Sequence, residues 1–184
     1  MRSLRWACAA GSLADGICVA LIASRTPSHV RGVVVRLGLA LFFFLFPHAL
    51  AALLRRVGPL RRYLRGWDAT GVLVVGFFLR AGFVLLLALA QTLVLVCAVA
   101  FAAGCLSAVG GVTADVLLGR LMPREERTRA LTRLRAASLL LGAAGLAAGV
   151  LLTGYGPSQV CFYAGAVLFL LAAVVGSGVG HVEG

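Results

Sequence analysis

"PREERTRALTRLRAASLLLGAAGLAAGVLL" (Pro123–Leu152) changes character in its middle. Pro123–Arg135 carries five Arg and two Glu, whereas nothing from Ala136 to Leu152 is charged. A helix that is apolar all round belongs in a membrane or in the middle of a large core. About 20 apolar residues are needed to cross a hydrocarbon layer of about 30 Å. The stretch therefore reads as a membrane span over about Leu134–Leu152, preceded by a basic loop. Pro123 suits a first helical position. Glu125 and Glu126 suit a first turn and the later Arg a last one. The loop is expected to be a short amphipathic helix lying on the membrane surface, its Arg near anionic lipid headgroups.

Working outward, the rest of the 184 residues repeats this alternation. The chain is 61% hydrophobic and 12% charged, against about a quarter charged for an ordinary soluble domain. Mean hydropathy is +1.03. So much apolar surface exceeds what one aqueous core buries. Spans are expected at about 6–23, 33–54, 72–91, 93–118, 134–152 and 160–179. Residues 72–118 are too long for one crossing at about 1.5 Å per residue, so a tight hairpin is expected at Gln91-Thr92. The fold class is all-α: a polytopic membrane protein with one six-helix transmembrane domain over residues 1–184.

All 17 basic residues are Arg. With the amino terminus inside, the interior loops hold thirteen of them and the exterior loops only Arg25 and Arg31. That asymmetry places both termini in the cytoplasm and the chain in the cell membrane. It also accounts for the net charge of +11 as a topology signal rather than a nucleic-acid footprint. Asp15 interrupts the first apolar stretch, which reads as a retained span and not a signal peptide.

The five Cys form no C-x-x-C pair and have no His at ligand spacing, so no metal, redox or cofactor site is expected. No nucleophile–base arrangement or phosphate-binding loop points to an enzyme. The adjacent glycines of "SAVGGVTAD" fall within a span and read as packing. In the fifth span Ser138, Gly142, Gly145 and Gly149 share one face, as small-x-x-x-small pairs that let another helix approach closely. Ser107-x-x-x-Gly111 is a weaker version in the fourth.

Ionisable groups inside spans are costly and raise functional hypotheses. At about 1.5 Å per residue, Asp15, His48 and Arg80 lie about 14, 9 and 12 Å from the cytoplasmic face. A polar cluster of the three is geometrically open. Asp15 is a candidate proton carrier or site for a cationic group, and histidine is a residue type suited to proton exchange. Arg80 is a candidate partner for Asp15 or for an anion. The plainer reading is a structural ion pair that fixes helix register. Asp115 is expected to pair with Arg120 or a loop Arg, or to act in a gate.

These features together resemble the amino-terminal half of a major facilitator superfamily transporter of the drug- or metabolite-exporter type. Residues 114–152, "ADVLLGRLMPREERTRALTRLRAASLLLGAAGLAAGVLL", resemble that family's end of helix four, the following loop and the glycine-striped helix five. "GSLADGICVAL" (Gly11–Leu21) resembles its first helix, and "VLVVGFFLRAG" (Val72–Gly82) its third. In "LLRRVGPLRRYLRGWDATGVL" (Leu53–Leu73), Arg65 and Asp68 match part of the family's loop between helices two and three. Leu64 stands where an acidic residue is usual. The resemblance implies proton-coupled export of a small hydrophobic or amphiphilic molecule. Because the family uses two six-helix halves around a midplane site, it also implies a second half or a homodimer. The alternative is a six-span protein without transport activity, a truncated remnant or an assembly partner.

Overall fold

The computed structural model describes residues 2–25, 32–57, 68–155 and 158–179. They form six helices: α1 (Arg2–Arg25), α2 (Val33–Val57), α3 (Ala69–Leu89), α4 (Leu93–Leu121), α5 (Arg124–Tyr155) and α6 (Ser158–Ser177). There is no strand among the described residues. All six are long and apolar enough to cross a membrane. The protein is a multi-pass, six-helix membrane bundle.

The helix ends follow local chemistry. Gly32 takes a φ of 87°, a conformation that side chains resist, and the chain enters α2 there. Asp68 caps α3, its Oδ1 accepting from the Thr70 N–H at 3.0 Å. Thr92 caps α4, its hydroxyl accepting from the Leu95 N–H at 3.3 Å. The α3–α4 connection is therefore the tight hairpin expected at Gln91-Thr92. Pro47 lies inside α2, which continues through it.

One boundary differs from expectation. The basic segment Pro123–Arg135 is not a separate surface helix. Met122 and Pro123 alone separate α4 from α5, and α5 runs unbroken for 32 residues. Nothing between Arg124 and Tyr155 stops a helix: there is no proline, and Gly142, Gly145 and Gly149 sit where another helix packs against them. Its length is about 48 Å at ~1.5 Å per residue, well beyond the ~30 Å hydrocarbon layer. Ala130, Leu131 and Leu134 pack on the core, while Arg129, Thr132 and Arg133 are exposed.

The bundle is built from a paired set of contacts. Helix α1 packs on α5, as α2 does on α4; α1 packs on α6, as α4 does on α3; and α1 touches α2, as α4 touches α5. The remaining major pairing, α3 with α6, and the α1–α4 contact map onto themselves. Exchanging α1–α3 for α4–α6 thus returns the same principal pairings. Each unit has an odd number of spans, so the second runs through the membrane in the opposite sense to the first.

Glycines set the tightest crossings. A Cβ on Gly16 of α1 would collide with the Gly142 carbonyl and stand 2.5 Å from the Leu146 nitrogen in α5. One on Gly145 would collide with the Leu13 carbonyl, and one on Gly149 would lie 2.6 Å from the Ala20 Cβ. At the α4–α2 crossing, a Cβ on Gly104 would lie 2.5 Å from the Phe44 carbonyl oxygen. Lipid supplies no hydrophobic drive for helices to associate, so such backbone approach provides the packing energy. The core between the helices is apolar and includes Leu21, Leu73, Phe77, Leu87, Leu117 and Phe169. Phe42, Leu89, Val94, Leu140 and Val174 point outward, as lipid-facing side chains do.

Candidate functional site

Five of the six helices, all but α6, border a cavity of about 570 Å³. Most of its wall is apolar, from side chains such as Val19, Leu41, Phe77 and Leu146. Glycines (Gly11, Gly16, Gly110, Gly111, Gly142) form part of its wall. A few polar groups converge on this apolar space, the usual make-up of a small-molecule site.

Asp15 and Arg80 meet at this cavity. The guanidinium reaches both carboxylate oxygens from Nη1, at 3.3 Å to Oδ1 and 3.2 Å to Oδ2. The Ser107 hydroxyl of α4 donates to Asp15 Oδ2 at 2.7 Å. One carboxylate thus joins three helices. Arg80 is held from behind as well. Its Nε donates to the Gly76 carbonyl one turn back, at 3.3 Å. Its guanidinium carbon lies 4.5 Å from the centre of the Phe77 ring and 5.3 Å from that of Phe169, both cation–π distances. The Arg80 side chain is 4% exposed and that of Asp15 17%. A buried charge is tolerated only when paired and hydrogen-bonded, and both conditions hold for each partner.

His48 borders the same cavity but does not join the pair. Its Nδ1 donates to the Phe44 carbonyl at 3.1 Å, and its ring lies 5.6 Å from that of Phe44. The equal depth of the three residues is not enough, because His48 bonds within its own helix. Ser107 is the residue that completes the cluster. In the sequence it is one small residue in an apolar run, indistinguishable from a packing position. Gly104, one turn earlier, makes the close approach to α2 instead.

A second ion pair lies about two turns further along α4, at Asp115. Arg135 Nη2 donates to Asp115 Oδ2 at 3.0 Å, and Arg127 Nη2 donates to the Asp115 carbonyl at 3.1 Å. Asp115 and Arg135 both border the cavity, with side chains 22% and 62% exposed. Arg135, within α5, is thus a loop Arg that pairs with the Asp115 carboxylate. Gly119 makes room for Arg127: a Cβ there would lie 2.7 Å from the guanidinium carbon. Arg120 is exposed at the end of α4. Asp68 serves as the α3 cap, and Arg65 lies outside the described residues.

The Ser138–Gly149 face of α5 is turned toward α1. Gly145 and Gly149 press on Leu13, Ile17 and Ala20, while Ser138 and Gly142 also border the cavity. No family model, curated protein or solved structure matches this chain.

Proposed function

We propose that the chain is half of a major facilitator-like secondary transporter. It exports a small hydrophobic or amphiphilic molecule across the cell membrane in exchange for protons, with both termini in the cytoplasm. The observation that carries this reading is the Asp15–Arg80–Ser107 cluster set into a largely apolar cavity within the membrane bundle. Ionisable groups placed there mark ion and substrate pathways by default.

Two further features support it. The pairing of the helices repeats when the first three are exchanged for the last three, the inverted three-plus-three arrangement nested in each half of such transporters. The cavity is also lined mainly by α1, α2, α4 and α5, the helices a second six-helix unit, from a homologous half or a second copy, would have to meet to enclose the site.

Asp15 is assigned the proton. Protonation cancels its charge, weakens the hold on Arg80 Nη1 and changes what the cavity offers a ligand. The Asp115–Arg135 pair is assigned to the gate between α4 and α5. The test is efflux of a panel of amphiphilic dyes from cells producing the chain, with Asp15→Asn as the variant. Loss of pH-driven efflux with normal membrane insertion is expected. Retained efflux in the variant removes the proton role. No efflux from the parent chain, alone or with a second half, favours the other reading. In that reading the fully bonded Asp15 fixes helix register in a non-transporting protein.

A further inference from the structure

Arg80 has more donors than its partners use. Nε bonds the Gly76 carbonyl and Nη1 bonds Asp15, but Nη2 makes no hydrogen bond among the described residues. Nor is Nη2 sealed in protein. Among the described residues, the one fully buried side-chain nitrogen or oxygen without a partner is Thr70 Oγ1. Nη2 therefore keeps an open side, and Arg80 borders the cavity. Gly110 stands at this nitrogen: a Cβ there would lie 2.8 Å from Nη2. The absence of a side chain at Gly110 keeps the approach free.

The acceptor side of the cluster is already used. Asp15 takes two hydrogen bonds from a full positive charge and a third from Ser107. The two ion pairs that border the cavity, Asp15–Arg80 and Asp115–Arg135, each sum to zero. At the Arg80 end, where that side chain is 4% exposed, a charged ligand leaves an uncompensated charge in a low-dielectric space, which is costly. An uncharged acceptor satisfies Nη2 and leaves the balance intact.

From these observations we infer that the cavity binds uncharged apolar molecules carrying a hydrogen-bond acceptor such as an amide or ester carbonyl, with that oxygen on Arg80 Nη2 beside Gly110. This assignment rests on the transport reading for its physiological meaning, but binding is measured without any gradient. Cationic amphiphiles are the weaker ligands, because Asp15 is already occupied by its own protein donors.

The experiment is equilibrium dialysis of radiolabelled octanamide, octylamine and octanoate against nanodiscs with and without the purified protein. Octanamide is expected to show saturable, protein-dependent binding, about tenfold tighter than either charged ligand, the scale of one hydrogen bond from a charged donor. Gly110→Ala is the test variant. The added methyl meets only the end of a side chain and no backbone, so the fold is expected to survive, as size-exclusion and melting controls check. Octanamide binding should fall about tenfold in Gly110→Ala. Tighter binding of octylamine or octanoate overturns the assignment, as does unchanged octanamide affinity in Gly110→Ala. Octanamide binding without dye efflux removes the transport reading and leaves this site. Dye efflux without octanamide binding does the reverse.

Discussion

Gly16 in α1 and Gly104 in α4 hold corresponding places: each is where its helix runs against the backbone of a neighbour, α5 for the first and α2 for the second. The two crossings are exchanged when the first three helices are swapped for the last three. Valine at either position should lower the stability of the bundle by about 1–3 kcal/mol, the usual cost of forcing atoms into filled space. Gly82→Val serves as the control, since a Cβ there meets nothing within 4 Å. Unfolding in mixed micelles reads the difference. Equal stability of all three variants would show that the crossings are not close.

The Asp15–Arg80 pair leads to a different expectation. Removing one partner strands a buried charge, at about 3–5 kcal/mol, whereas replacing both with apolar groups is often neutral. Arg80→Leu alone should therefore be strongly destabilised, and Asp15→Leu with Arg80→Leu should recover most of the loss. A double-mutant cycle measures the coupling. Additive effects would mean that the two side chains do not interact.

The Asp115–Arg135 pair should behave otherwise. With its Arg side chain 62% exposed, it is solvent-screened and contributes about 1 kcal/mol at most. Arg135→Ala is expected to leave stability nearly unchanged, because the Arg127 bond to the Asp115 carbonyl remains. A large loss of stability would place this pair in a far drier environment.

Orientation is checked with a membrane-impermeant thiol reagent in a background lacking the native Cys. Thr92→Cys, at the exposed α3–α4 hairpin, should label from outside intact cells. Glu125→Cys, exposed in the first turn of α5, should label only after permeabilisation. The reverse pattern would invert the assignment from Arg asymmetry.

Much of the fold was legible because membrane spans are written in composition and loops in caps. Thr92 marked the hairpin, and six apolar runs marked six helices. The start of α5 was not, because a change from charged to apolar residues was read as a boundary. Solvent changes at that point, but the backbone does not, since nothing near Arg135 breaks the helix. In the site, the depths of Asp15 and Arg80 along their helices were compatible with the pair they form. Rotation about the helix axis was not readable, and rotation separates His48 from the pair while bringing Ser107 to it. The partners of Asp115 were open for a related reason: several Arg lie near it in sequence, and it is the direct entry into α5 that brings Arg135 to it.

The unbroken length of α5 has a mechanical consequence. The helix is clamped on α1 around Gly145, and the arm beyond the clamp reaches Arg124, about 21 residues or roughly 32 Å away at ~1.5 Å per residue. A rigid rod turning about such a fulcrum by about 5° carries its tip roughly 3 Å and the backbone at Arg135, about 15 Å out, roughly 1 Å, so the Arg135 bond to Asp115 lies on the part that moves. The glycine clamp and the basic tip are thus two ends of one lever, in which a small change of crossing angle at the clamp becomes a displacement at the membrane surface.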